Sequence, residues 1–236
     1  MNGLPRICVS KGVQPGPLEL QGSQARHLAG ARRLRDGDAF LVFAGDGLEY
    51  PARVENVSHD RVIATVYDSV RQEPPPTPEV EVWCANVRVK RMEWAIEKCV
   101  EAGVNVFRPI NTEHSARGKE LSLGRHDRWR RIAVEAAEQC GRLYLPVITP
   151  VLSFEETLKG WTGTLVIAHQ EGRPWFDITA KLPKHAPLAV AVGPEGGFST
   201  VEIEAATQAG ALVASLGPNT LRTETAAVVA VALARS

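Results

Sequence analysis

The chain has 236 residues, of which 44% are hydrophobic and 23% charged, a composition typical of a globular protein rather than a disordered or fibrous one. Basic and acidic residues both number 27, so no global basic field indicates a nucleic-acid partner. The four cysteines are widely spaced with no C-x-x-C pair, which disfavours a disulfide framework and a zinc site; we expect reduced core thiols and no metal.

The beginning of the chain lacks the long apolar run of a signal peptide, and no later stretch reaches transmembrane length without charges. We therefore expect a cytoplasmic protein with no membrane partner.

The first 72 residues favour a small β-barrel or meander. Short β-rich runs at 40–43, 50–57 and 61–67 are separated by polar or glycine-containing turns. A helical stretch at 23–34 precedes them and carries a cluster of cations, Arg26, His27, Arg32 and Arg33. That cluster is either a solvated helix face or a set of phosphate contacts.

A proline-rich segment at 73–79 marks a domain boundary, because its four prolines disfavour both helix and internal strand. Strands and helices alternate after it, which predicts an α/β domain with a mostly parallel sheet. The predicted organisation is a domain at 1–72, a linker at 73–79 and a second domain at 80–236.

Within the second domain, residues 80–85 predict the first strand, and apolar residues at helical spacing from Met92 to Val100 predict a helix that stops near Gly103. A second amphipathic helix covers 129–140, with Asp127 as its expected cap. Apolar runs at 165–168, 187–192 and 211–216 are typical of buried parallel strands.

A glycine-rich loop, GPEGGFS at 193–199, joins the strand at 187–192 to a helix whose start carries the capping-box pair Ser199 and Glu202. Ligands bind at the carboxyl ends of strands in α/β sheets, and glycines allow a ligand to approach the backbone closely. The loop fits neither G-x-G-x-x-G nor a P-loop, which disfavours dinucleotide and nucleoside-triphosphate binding. A tight structural turn is the alternative.

A second unusual loop, LGPNTLRTETA at 216–226, joins the last apolar strand to a helix at 227–234 that is apolar nearly all round. Such a helix is expected to be buried against other elements or a second subunit. Arg222 and Glu224 would lie beside this apolar wall, either as site residues or as a structural ion pair.

Upstream, residues 108–131 contain seven Lys or Arg and three acids, which indicates either phosphate contacts or a solvated face.

Five segments in order, at 27–38, 92–104, 128–142, 193–199 and 216–226, resemble the RsmE family of 16S ribosomal RNA uracil-N3 methyltransferases, in the SPOUT superfamily. Two differences from the family pattern are Ala31-Arg32, in place of an aliphatic pair, and His114, where the family usually has arginine. The resemblance implies a PUA-like β-barrel that binds RNA, followed by a SPOUT-type domain. That domain would contain a trefoil knot, bind S-adenosylmethionine and form a homodimer.

The resemblance also implies site residues. The cofactor would be held by Gly193, Pro194, Gly196, Gly197, Leu216, Gly217, Leu221 and Thr223. Arg222 would hold the uracilate or an adjacent phosphate, and Glu195 and Glu224 are both candidates for the base or for orienting Arg222. A base from the solvent is the alternative. RNA contacts would come from Arg26, His27, Arg33, Arg117, Arg128, Arg131 and Arg142. The substrate would be 16S ribosomal RNA or the assembled small subunit.

A different class of function stays open from the residues alone: a non-catalytic RNA-binding or ribosome-assembly module that uses the β-barrel and the basic segment. It leaves both glycine-rich loops unexplained, and it predicts no binding of S-adenosylmethionine. A nucleotide-dependent kinase or hydrolase is a further alternative, but the lysine of a P-loop is absent.

Overall fold

The computed structural model describes residues 3–10, 12–31, 33–58, 60–115, 123–179, 182 and 185–236, without the side chains of residues 23, 27, 31, 123 and 179. The chain divides into two compact units. The first comprises Met1–Pro75 with Ala137–Leu145, and the second comprises Pro76–Ala136 with Pro146–Ser236.

The first unit is built on one six-stranded sheet. Its strands are β1 (Arg6–Cys8), β2 (Gly16–Gln21), β3 (Ala39–Phe43), β4 (Leu48–Val57), β5 (Arg61–Val66) and β6 (Arg71–Gln72). The order is β1-β3-β4-β5-β2, with β6 on β4, and all pairs except β1 with β3 are antiparallel. The helix α1 (Gly22–Arg26) continues into a π-helical turn at His27–Ala31, so the expected helix at 23–34 is shorter and ends irregularly.

The core of the first unit follows from alternation along its strands. In β5 the side chains of Val62, Ala64 and Val66 are buried while the residues between them are less so, as expected for a strand with one face on the core. Leu28, from the π-helical turn, is fully buried in the same cluster. One continuous apolar core therefore joins the short helix to the sheet.

Residues 137–145 complete the first unit from a distant part of the sequence. The Glu138 carboxylate accepts a hydrogen bond from the Cys8 amide at 2.9 Å, and the Leu143 carbonyl accepts one from the Gly47 amide at 3.3 Å. The predicted boundaries assign this segment to 80–236, whereas in the structure backbone groups of the first unit take hydrogen-bond partners from it.

The second unit contains a seven-stranded sheet in which every pair is parallel, which confirms the predicted mostly parallel α/β fold. Its strands are β7 (Val80–Ala85), β8 (Val106–Asn111), β9 (Val147–Ile148), β10 (Leu152–Ser153), β11 (Thr164–Pro174), β12 (Leu188–Val192) and β13 (Leu212–Ser215). The order is β10-β8-β7-β12-β11-β13, with β9 on β8.

Helices cover both faces of this sheet. They are α2 (Val89–Glu101), α3 (Leu123–Cys140), α4 (Phe154–Lys159), α5 (Trp175–Thr179), α6 (Thr200–Gln208) and α7 (Thr223–Arg235). α7 packs on β7, β12 and α2. A second cluster, which includes Trp83, Phe154 and Ala206, covers the opposite face with α4 and α6. No helix in the described part of the chain is both long and apolar enough to cross a membrane.

Two local predictions are wrong. α3 begins at Leu123, so Asp127 lies inside the helix rather than at its cap. Cys140 is exposed near the end of the same helix, whereas Cys8, Cys84 and Cys99 are buried free thiols as expected. Burial raises the pKa of the Cys8 and Cys84 thiols to about 12, which makes both inert as nucleophiles near neutral pH.

A buried ion pair joins the first two strands of the parallel sheet. The Glu81 side chain is 7% exposed and accepts hydrogen bonds from Arg108 Nε and Nη2, both at 3.1 Å, and from Trp83 Nε1 at 2.9 Å. Arg108 belongs to the basic segment at 108–131, but its charge is paired with that of Glu81 within the sheet. It therefore does not contribute to a surface for phosphate.

Substitution Arg108→Ala is expected to lower the free energy of unfolding of the second unit by about 3 kcal/mol, because it leaves a buried carboxylate without its cation. Urea denaturation of the two proteins measures the difference. Arg131→Ala, at an exposed position on α3, is the control and should change stability by less than about 0.5 kcal/mol. Equal losses for the two variants would contradict a stabilising role for the Glu81 pair.

Candidate functional site

A cleft of about 400 Å³ lies at the carboxyl ends of β12 and β13 in the second unit, beside the middle of β11. It is lined by residues 168–171 from β11, residues 192–198 after β12, and residues of 215–223 after β13, together with Ala226 of α7. A cavity of this size, with both apolar and polar lining, is in the range of small-molecule sites. Its position is the one expected for a ligand in an open parallel sheet.

The structure brings all the predicted cofactor residues to this one cleft. Each of them lines it: Gly193, Pro194, Gly196, Gly197, Leu216, Gly217, Leu221 and Thr223. The two loops are separated by α6 and β13 in sequence, and the parallel order of β12, β11 and β13 places their strand ends at one edge.

The backbone of the glycine-rich loop is fixed at both ends. A Cβ atom added to Gly193 would lie 3.1 Å from the Phe198 amide nitrogen, and Gly197 has a φ of +71°, which favours glycine. At its far end, the Ser199 hydroxyl accepts from the Glu202 amide at 3.3 Å, and the Glu202 carboxylate accepts from the Ser199 amide at 2.8 Å. The predicted capping box at the start of α6 is therefore confirmed.

The second loop is linked to the first by a side chain. Thr223, in the first turn of α7, is buried, and its hydroxyl donates to the Gly193 carbonyl at 3.0 Å. The start of α7 and the start of the glycine-rich loop are thus held together on one side of the cleft.

A third segment, directly after β8, supports the glycine-rich loop and was missed by the sequence analysis. The Glu113 amide donates to Glu202 Oε1 at 2.9 Å, and His114 Nδ1 lies 3.2 Å from the Gly197 carbonyl oxygen. A Cβ atom added to Gly196 would lie 3.1 Å from the Cβ of His114. The histidine at the position where the RsmE family usually has arginine therefore packs against the cleft loop.

The extension of β11 was also missed. Residues 169–174 continue the strand past the predicted end at 168, and three of them, His169, Gln170 and Glu171, line the cleft. The Gln170 amide donates to the Thr220 hydroxyl across the cleft lining. Their polar, non-periodic sequence gave no strand signal.

The two predicted catalytic carboxylates lie in different environments. The Glu195 side chain is 68% exposed and lines the cleft, whereas that of Glu224 is 10% exposed and does not. Glu224 Oε2 has no hydrogen-bond partner among the described residues. Of these two carboxylates, only that of Glu195 is placed to meet a ligand in the cleft.

Both carboxylates face one guanidinium, that of Arg91 on α2. Arg91 Nη1 donates to Glu195 Oε1, and Arg91 Nε lies 3.7 Å from Glu224 Oε1. Arg91 holds the pKa of Glu195 below its usual range, with smaller contributions from the charges of Arg88 and Arg222. The sequence signal was present, since cations follow directly after β7, but nothing local indicated that they point at the two loops.

Arg222 is exposed at the N-cap position of α7, outside the cleft lining. Among the described residues the ion-pair partner of Glu224 is Arg91, so the alternative of a structural pair between Arg222 and Glu224 is wrong. The guanidinium of Arg222 is therefore exposed at the start of α7, where it can bind an anion.

The predicted RNA-binding residues are distributed over both units. Arg26 and Arg33 are exposed in the first unit, where Arg33 has a φ of +54°; the side chain of His27 and all of Arg117 lie outside the described part. Arg142 belongs to the 137–145 segment of the first unit. On α3, Arg131 is exposed.

Arg128 differs from the other predicted contacts because it already has a bidentate partner. Its Nη2 lies 3.0 Å from Glu93 Oε2, and its Nε donates to the other oxygen of the same carboxylate. The Glu93 pair thus neutralises part of the charge counted in the basic segment.

Two family models match the chain: an RNA methyltransferase domain over residues 73–235 and an RNA methyltransferase PUA domain over residues 20–67. The chain is 33% identical over 223 residues to the ribosomal RNA small subunit methyltransferase E of Mycobacterium bovis, covering 89% of this chain and 83% of that protein.

Solved structures agree with the sequence matches. A Legionella pneumophila protein described as a methyltransferase, with SAM bound, has a TM-score of 0.89 at 29% identity and covers 98% of this chain and 96% of that one. The ribosomal RNA small subunit methyltransferase E of Neisseria gonorrhoeae, bound to S-adenosyl methionine, has a TM-score of 0.84 at 27% identity, with 97% and 95% coverage.

Substitution Thr223→Val removes the donor to the Gly193 carbonyl while keeping the side-chain volume. We expect the free energy of unfolding to fall by about 1 kcal/mol and amide hydrogen exchange at residues 193–198 to become faster, because the hydrogen bond that holds the loop to α7 is lost. Hydrogen-exchange mass spectrometry measures the second effect. Thr207→Val, which removes an exposed bond within α6, is the control; equal loop exchange in both variants would contradict the link.

Proposed function

The chain belongs to the RsmE family of ribosomal RNA small subunit methyltransferases, and we propose that it transfers a methyl group from S-adenosylmethionine to N3 of one uridine in 16S ribosomal RNA. The observation that carries the proposal is the cleft at the ends of β12 and β13, where both glycine-rich loops meet. A relative with 33% identity is named ribosomal RNA small subunit methyltransferase E, and two solved structures of similar fold contain S-adenosylmethionine.

The cleft fits S-adenosylmethionine in size and in chemistry. The tight approach of Gly193 to Phe198 and the positive φ of Gly197 and Gly217 leave the backbone, rather than side chains, facing a ligand. Apolar groups such as Leu216 and Leu221 suit a purine and ribose. We propose that the eight cleft residues predicted from the sequence hold the cofactor.

When bound, S-adenosylmethionine supplies a methyl carbon on a sulfonium, whose carbon–sulfur electron pair returns to the sulfur as uracil N3 forms the new bond. N3 becomes a good nucleophile only when its proton leaves, so either a group of the chain or the solvent must accept that proton. We assign this task to Glu195, because it lines the cleft and Glu224 does not. Arg222, at the start of α7, would hold the uracilate or an adjacent phosphate of the RNA.

The RNA is held by both units in this proposal. The match of residues 20–67 to the PUA domain of RNA methyltransferases supports RNA binding by the first unit. The contacts would be Arg26, His27, Arg33, Arg117, Arg128, Arg131 and Arg142. A ribosomal RNA substrate, free or in the assembled small subunit, leads us to propose a cytoplasmic location. The trefoil knot implied by the family stays a prediction.

The function is tested by incubating the purified protein with S-adenosylmethionine and small ribosomal subunits, or 16S ribosomal RNA, from a strain that lacks its own enzyme of this family. Nuclease digestion and mass spectrometry should find one new N3-methyluridine. The matched variant is Gly196→Val, whose side chain would meet His114 and the cleft. We expect its cofactor affinity, measured by calorimetry, to fall more than about tenfold.

The control is Gly124→Val, because an added Cβ atom there meets no atom within 4 Å and the residue lies outside the cleft lining. It should bind S-adenosylmethionine like the parent. A folded Gly196→Val protein with unchanged affinity would overturn the cofactor assignment. A parent protein that binds the cofactor yet modifies no uridine at N3 would overturn the reaction.

We also propose that a second copy of the chain covers the outer faces of α2 and α7. α7 buries Ala227, Ala230 and Val231, but other apolar side chains stay partly exposed, and the neighbouring α2 exposes Trp94 by 43%. An exposed tryptophan beside a partly exposed apolar helix is typical of an interface between subunits.

Trp94→Arg is expected to weaken a homodimer more than about tenfold without unfolding the protein, since the residue is already exposed. Sedimentation velocity over a range of concentrations gives the dissociation constant. Val201→Arg, at a site 72% exposed on α6, is the control and should leave the constant unchanged. A parent protein that sediments as a monomer at all concentrations would contradict the proposal.

A further inference from the structure

The charges of three arginines act on the carboxylate of Glu195, which lines the cleft. Arg91 binds Glu195 directly, and Arg88 and Arg222 lie close enough to act on the same carboxylate electrostatically. Arg88 directly precedes α2, and Arg222 directly precedes α7. The start of each helix therefore presents an arginine to the wall of the cleft formed by the glycine-rich loop.

The cations here exceed the groups that pair with them. Arg88 and Arg222 are exposed, and neither makes an ion pair within the described part of the chain. Arg91 uses one nitrogen for Glu195 and lies 3.7 Å from Glu224, which is beyond hydrogen-bond distance. Because a guanidinium has five N–H donors, all three arginines keep donors for an additional anion.

The Glu195 pair is easily exchanged. The side chains of Arg91 and Glu195 are 32% and 68% exposed, and an ion pair this accessible to water contributes little to stability. Glu224 differs because it is buried, and its carboxylate lies 3.7 Å from Arg91 Nε, so it attracts the guanidinium from the protein interior. An incoming anion could therefore replace Glu195 while Arg91 itself stays where it is.

We propose that Arg88, Arg91 and Arg222 bind a phosphodiester of the RNA beside the nucleotide that enters the cleft. In the absence of RNA, Glu195 forms an ion pair with Arg91, and the phosphate replaces Glu195 in that pair when the RNA binds. The proposal rests on the proposed function, because it takes the cleft to be the site of methyl transfer. Phosphate suits this group better than a carboxylate, since arginine binds phosphate oxygens through two parallel N–H donors.

The exchange has a consequence for the reaction. While Arg91 holds Glu195, it lowers the pKa of that carboxylate and makes it a weaker proton acceptor. A phosphate that takes over Arg91 removes this effect and leaves Glu195 free beside the uracil. Correct placement of the RNA backbone would thus release the group that accepts the N3 proton.

The test measures the affinity of small-subunit RNA for the parent and for Arg88→Ala, Arg91→Ala and Arg222→Ala, with S-adenosylhomocysteine present and at several salt concentrations. Each variant should weaken RNA binding about tenfold and reduce the slope of log affinity against log salt by about 0.7. Arg88→Ala is the cleanest, because that side chain has no ion-pair partner to lose. Lys159→Ala, at an exposed lysine of α4 outside the cleft, is the control.

Glu195→Gln supplies a change of opposite sign. It frees Arg91 and should strengthen RNA binding about threefold, because an exposed ion pair no longer competes with the phosphate. The same variant should lose most single-turnover methylation, because the amide cannot accept the N3 proton. A purely structural role for Glu195 would not raise RNA affinity while it lowers turnover.

Three results separate this inference from the function on which it rests. If the arginine variants bind RNA with parental affinity and salt slope, the phosphate subsite is wrong while the enzyme assignment stands. If they lose affinity for S-adenosylmethionine instead, the arginines serve the carboxylate of the cofactor and the proposal is overturned. If the parent itself binds no S-adenosylmethionine, the proposed function fails first.

Discussion

Parallel pairing of β12 between β7 and β11 is the constraint on which the rest of the second unit depends. Val192 at the end of β12 is in register with Ala168 of β11, and β13 pairs with β11 on its other side. All three strands run in the same direction, so the loops that follow β12 and β13 leave the sheet at one edge, beside the middle of β11. The position of the cleft is therefore determined by the order of the strands and does not depend on any particular side chain.

The glycine-rich loop of the cleft is then supported by contacts from Thr223, which lines the cleft, and from residues outside the lining. Thr223 fastens the start of α7 to the glycine-rich loop, His114 and Glu113 support the loop from the segment after β8, and Arg91 joins it to α2. Side chains near the reacting atoms need such outer support to hold a productive geometry. The buried Glu224 belongs to this support, since it faces Arg91 and not the cleft.

The sequence predicted the cleft loops but not their supports, for a physical reason. Glycine-rich loops at the ends of apolar runs are local signals, and the βα rule converts them into a site. The Arg91 pair joins residues 104 positions apart, and its geometry depends on how α2 and α7 pack. Asp127 illustrates the opposite error: a good capping residue lies inside α3, because the helix begins four residues earlier.

The segment Ala137–Leu145 has a consequence for how the protein is made. The amides of Cys8 and Gly47 find their acceptors in Glu138 and Leu143, so a ribosome must synthesise residues 76–136 before the first unit can be completed. A nascent chain that ends before residue 145 leaves those backbone donors without their native partners. An N-terminal fragment ending at the proline-rich segment therefore lacks part of its own fold.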